Sequence, residues 1–211
     1  MNLDKSLETL ENSVIEMGEL VVKQHEICAE LLKSRDKESA LRVIEKDQFV
    51  NKAEEDINNQ VIAGFALLSP VASDLRCELV AVKIASELER IGDYAKGLAS
   101  FIIKHDEEGY DDLLEYAIIM EREIVVMLKA AIEAYKERKL ELAFEIPGQD
   151  SAIDTLMKEF RNKLEGRNDI DLKYVFYLSG LFRNVERSGD HIVNICEHIV
   201  YLIKGIHYDF D

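Results

Sequence analysis

The chain has 211 residues, 47% hydrophobic and 32% charged, which supplies a buried core and excludes a disordered tail. With 42 acidic and 26 basic residues its formal net charge is −16, which argues against nucleic acid or an anionic membrane surface as partner. Three cysteines without CxxC spacing, no apolar run near ~18 residues and no apolar leader point to a cytoplasmic protein without direct membrane insertion.

Apolar residues recur at helical spacing almost throughout, and only two prolines interrupt them. Leu3, Leu7, Leu10, Val14, Met17 and Val21 open a first helix, which breaks near Ser34-Arg35-Asp36. Asp36 is placed to cap a second, carrying Ala40, Val43, Ile57, Val61 and Phe65, with Ser69-Pro70 as its stop. Ser73 is expected to cap a third helix, with Asp74 in its first turn, running to about Lys104. His105 to Tyr110 is the most linker-like stretch. Asp112 with Glu115 reads as a capping box for a fourth helix ending near Arg138. A fifth spans about Leu140 to Leu164, kinked at Pro147-Gly148, and a sixth runs from 169–171 to Lys204-Gly205. Helices of ~30 residues are each ~45 Å long, and short turns between them imply antiparallel bundles.

The chain repeats itself. Glu89-Arg90-Ile91-Gly92-Asp93 returns as Glu186-Arg187-Ser188-Gly189-Asp190, and Asp74-Leu75-Arg76 as Asp171-Leu172-Lys173, both 97 positions on. Earlier in each half the offset is 103, which matches Met17 to Met120 and Asp47 to Asp150. The expected fold is therefore all-α: two tandem three-helix bundles, 1–105 and 106–211, of six long antiparallel helices.

Carboxylates four residues apart lie on one helix face, where like charges repel by a few tenths of a kcal/mol. Glu89 with Asp93, Glu186 with Asp190 and Asp150 with Asp154 are such pairs, whereas Asn51 follows Asp47 in the first half. A bound cation reverses the sign of that repulsion, and oxygen-rich donors suit magnesium, manganese, calcium or iron. The alternative is a solvated acidic face, which recurrence at matched positions beside an identically placed Arg and Gly disfavours. Asn194 and Glu197 extend the second stripe, while Gly97 and Ser100 occupy those places in the first. Arg90 and Arg187 are expected to pair with neighbouring carboxylates, and Gly92 and Gly189 to mark close helix packing. No Gly-rich phosphate loop, GxSxG, HExxH or Glu-x-x-His is found, so no enzyme is expected.

The residues resemble the PhoU family of phosphate-signalling proteins over nearly the whole chain. The resemblance rests on SPVASDLR (Ser69 to Arg76), ELERIGD (Glu87 to Asp93) and NVERSGDHIVNICE (Asn184 to Glu197), together with Asp47, Asp150 and Asp154. It implies multinuclear metal sites, with iron, manganese or magnesium favoured over zinc, on Asp47, Glu89, Asp93, Asp150, Asp154, Glu186 and Asp190. It also implies a negative regulator of the phosphate-starvation response and a modulator of phosphate uptake. Such a protein sits between a phosphate ABC transporter and a sensor histidine kinase, as a homodimer. Two alternatives stand beside this reading: an accessory of a phosphate permease without a kinase link, and a metal-dependent hydrolase or oxidase. If metal binds, the second half, with four motif carboxylates against three, is expected to hold it more tightly.

Overall fold

The computed structural model describes residues 3–68, 71–105 and 109–210, with the side chains of Leu68 and Asp150 outside that description. Helices α1 (Leu3–Ser34), α2 (Lys37–Leu68) and α3 (Ala72–Lys104) form the first half. Helices α4 (Asp111–Glu137), α5 (Leu140–Glu145), α6 (Pro147–Glu165) and α7 (Leu172–Lys204) form the second. Among the described residues there is no strand.

Local chemistry explains most boundaries. Arg35 takes a left-handed φ of 54° after α1, and Asp36 Oδ1 then accepts from the N–H groups of Glu38 and Ser39 at 3.0 and 3.3 Å. α4 ends on Arg138 (φ 53°) and α7 on Gly205 (φ 71°), whose N–H bonds to the Tyr201 carbonyl. Asp171 caps α7 by accepting from the Lys173 N–H at 2.9 Å. The expected fifth helix is interrupted as foreseen. Ile146 keeps helical dihedrals, but Pro147 has no N–H to continue the ladder, so α5 gives way to α6 there.

Two caps differ from expectation. α3 starts two residues earlier than a Ser73 cap requires: Val71 precedes it, and Asp74 Oδ2 accepts from the Val71 N–H at 3.1 Å. Ser73 lies inside the first turn, with its hydroxyl on Asp74 Oδ1. At α4 no Asp112–Glu115 box forms, since Tyr110 precedes the helix without a side-chain cap. Asp112 instead holds the Arg167 guanidinium at 3.0 and 3.1 Å and the Lys163 ammonium at 3.1 Å, charge-assisted contacts that outcompete a local cap. The Ser69-Pro70 stop lies outside the described residues, as does the middle of the 105–110 linker.

Each half is a three-helix bundle, α5 and α6 acting as one interrupted helix. Yet the halves do not stand apart. α1 packs on α3 and α4, and α7 packs on α3 and α4, so these four make a closed central ring. α2 flanks the ring over α1 and α3, and α6 flanks it over α4 and α7. One continuous core fills the interior, from Met17, Leu88 and Ile91 to Met120, Phe182 and Ile195. Phe160 of α6 stacks on Phe182 of α7 with ring centres 3.6 Å apart, fixing the outer helix to the ring. Cys28 and Cys196 are buried and Cys77 partly so, all as free thiols. Among the described residues no helix is long and apolar enough to cross a membrane.

Candidate functional site

The first-half carboxylates are brought together where α2 meets α3. In the first half, α2 supplies Asp47 and α3 supplies Glu89 and Asp93. Asp47 is only 2% exposed. Its Oδ2 accepts from the Lys96 ammonium at 2.7 Å, and the same ammonium stands 3.8 Å from Asp93 Oδ1. Asp47 Oδ1 is buried without a hydrogen-bond partner, as are both amide atoms of Gln24 on α1. A Cβ added to Gly92 would stand 3.2 Å from Gln24 Oε1 and Val50 Cγ1 and 3.8 Å from Asp47 Oδ1, so this glycine does serve close packing. Burial pushes the Glu89 carboxyl up, helped by the negative charges of Asp93, Glu54 and Asp47, while Arg90 acts in the opposite sense. Arg90 lies 3.7 Å from Glu89 and 4.0 Å from Asp93.

In the second half, α7 presents Glu186 and Asp190, both partly exposed, and α6 presents Asp154 in the open. Arg187 contacts Asp190 at 3.2 Å and Arg161 approaches Glu186 at 3.9 Å. The side chain of Asp150 lies outside the described residues. Nothing equivalent to Lys96 exists here, because Val193 takes its place in the repeat. Among the described residues no three His, Cys, Asp or Glu side chains are grouped as a metal ion requires. The longer stripe also divides. Asn194 donates to Glu87 on α3 at 3.1 Å, and Glu197 accepts the Phe210 N–H at 3.2 Å, so neither extends the Glu186–Asp190 pair.

Sequence reasoning passed over the polar groups that join the halves. On the α3–α7 seam, Glu87 Oε2 accepts from His191 Nδ1 at 2.5 Å, with His198 Nε2 3.6 Å from Oε1. His191 Nε2 in turn meets the Tyr94 hydroxyl at 3.2 Å. Burial alone would raise Glu87, but its contacts with His191, His198 and Asn194 outweigh that and hold the carboxyl down at about 2. Deeper in the ring, His25 of α1 lies 2.6 Å from Glu121 Oε1 of α4 through Nδ1 and 2.9 Å from the Ile91 carbonyl through Nε2. A carbonyl only accepts, so Nε2 carries a proton; Nδ1 then faces the carboxylate. Burial lowers this imidazole, but the Glu121 charge and hydrogen bond and the Ile91 carbonyl together raise it, favouring the imidazolium. The sequence held one clue. His25 falls in phase with Val21, Cys28 and Leu32, and Glu121 with Ala117, Ile124 and Leu128, so each is a charged residue written into an apolar stripe.

The duplicated helical architecture has counterparts in known proteins. The sequence model of the PhoU domain matches residues 14–102 and 118–199, one copy per half. The chain is a member of the PhoU family. A PhoU relative from Clostridium acetobutylicum, named a phosphate-specific transport system accessory protein homolog, is 33% identical over 99% of this chain and 97% of its own length. The Escherichia coli PhoU, named an accessory protein of the same system, is 31% identical over 94% of this chain and 84% of its own. The crystal structure of the PhoU regulatory protein from Streptococcus pneumoniae superposes with a TM-score of 0.91 at 28% identity, covering 99% of this chain and all of that one.

Proposed function

We propose that this PhoU protein is a non-enzymatic accessory regulator of phosphate transport, acting in the cytoplasm by docking on other proteins. What carries the reading is the full-length similarity to relatives named for the phosphate-specific transport system. Its partners are components of a phosphate ABC transporter and a sensor histidine kinase, through which it restrains the phosphate-starvation response as a homodimer. The surface charge fits such work: a net −16 is suited to basic faces on partner proteins and unsuited to phosphate itself or to lipid headgroups.

A hard cation belongs to the same reading, at the second-half carboxylates Asp150, Asp154, Glu186 and Asp190. Among the described residues no lysine pairs with Asp154, Glu186 or Asp190, and a divalent ion there would offset the mutual repulsion of the carboxylates. Affinity capture from phosphate-replete cells, with mass spectrometry of what is retained, tests the partner assignment. Transporter ATPase or permease subunits are expected, released as salt is raised because exposed charges are screened beyond ~10 Å at 0.1 M. Recovery of neither transporter nor kinase, with the bait intact, would contradict it. Recovery of the transporter alone would favour the permease accessory without a kinase link.

A further inference from the structure

The two carboxylate clusters are alike in sequence but not in their counterions, and the difference lies in two positions, a half-buried Lys96 and a buried Gln24. In the first half Lys96 extends from α3 across to α2 and seats its ammonium 2.7 Å from Asp47 and 3.8 Å from Asp93. Two unpartnered buried acceptors, Asp47 Oδ1 and Gln24 Oε1, lie 3.8 and 3.2 Å from where a Cβ on Gly92 would stand. In the second half the matching residues are Val193 for Lys96 and Met127 for Gln24, neither able to bear a charge. A buried carboxylate such as Asp47 needs a cation, and here the chain supplies one.

We infer that Lys96 is a built-in substitute for a metal ion: it fills the cation position of the first cluster, which takes up a divalent metal only when Lys96 is removed. The inference rests on reading these clusters as cation sites, and it confines metal in the native protein to the second half. Geometry and charge agree on this. The ammonium sits where an ion bridging Asp47 and Asp93 would sit, so the two exclude each other by volume and by repulsion. A lysine ammonium carries its charge at neutral pH without any help from its surroundings. Once the ammonium is gone, Asp47 Oδ1, Asp47 Oδ2, Asp93 and the Gln24 amide oxygen remain as oxygen donors, the kind that hard cations prefer.

Metal retained after incubation with Mn²⁺ and dialysis, counted by elemental mass spectrometry, tests this on the full-length protein. The variants are Lys96→Met, and Lys96→Gln, which keeps a hydrogen-bond donor for Asp47 should the methionine variant fold poorly. The control is the Asp47→Asn/Lys96→Met double variant. Either single variant is expected to gain roughly one equivalent over wild type, and the double variant none. Glu89→Gln/Asp93→Asn is expected to leave wild-type metal content unchanged. No gain in either single variant, or loss of metal from Glu89→Gln/Asp93→Asn, would overturn the inference. Failure of the second-half reading is seen separately, as a wild type that retains no Mn²⁺, against which a gain at Lys96 is still read.

Discussion

Glu87 depends strongly on its surroundings. Its carboxyl is held near 2 against an ordinary 4.5, so the folded state binds its proton more weakly than the unfolded chain does. A depressed carboxylate contributes stability that is present above the unfolded pKa and lost as pH falls through the folded one; for Glu87 that window runs from 4.5 down to about 2. Glu87→Gln is therefore expected to cost about 2–3 kcal/mol in urea unfolding at pH 7 and little near pH 2. A cost that does not shrink with falling pH would show that packing, not charge, holds Glu87. Gly92 makes a different residue-scale case. Alanine there brings a methyl within 3.2 Å of both Gln24 and Val50, and Gly92→Ala should destabilise by about 1–3 kcal/mol despite alanine's better helix propensity. A thermal midpoint at or above that of wild type would contradict the close approach.

Among the elements, α1 and α4 come from different halves and are joined by the buried His25–Glu121 pair. Removing one member strands a charge in the core, at about 3–5 kcal/mol, whereas removing both leaves an apolar pair. His25→Leu or Glu121→Leu alone should thus be far more damaging than the two together, a coupling that a double-mutant cycle of unfolding free energies measures directly. Additive losses would contradict an ion pair. The sign with pH follows from the raised imidazole: its contribution is complete below the unfolded value of 6.5 and is lost as pH rises through the higher folded one. Helix existence, order and the break at Pro147 were legible in the sequence, because periodicity and breakers are local signals. The Ser73 and Asp112 caps were not, since Asp74 bonding backward to Val71 and Arg167 reaching Asp112 from 55 residues away compete with the local pattern. Lys96 escaped notice for the same reason. Its partner Asp47 lies 49 residues off, and only the rotation of α3 against α2 brings them together.

At the scale of the whole molecule, the sequence repeat announced two bundles but not the ring that unites them. Duplication is written along the chain, whereas the contact of α1 with α4 and of α3 with α7 depends on which apolar stripes remain uncovered once each bundle has formed. The two halves share one core, and helices of each pack on helices of the other. That unity suits the proposed role, in which the protein is read by partners rather than transforming a substrate. Uptake of radiolabelled phosphate tests this assignment most directly, in cells lacking the gene and in cells with it restored. Uptake that stays high after phosphate is supplied, and is shut down again when the gene is returned, is the expected result. Normal shutdown without the gene would contradict the assignment of this chain to the control of phosphate transport.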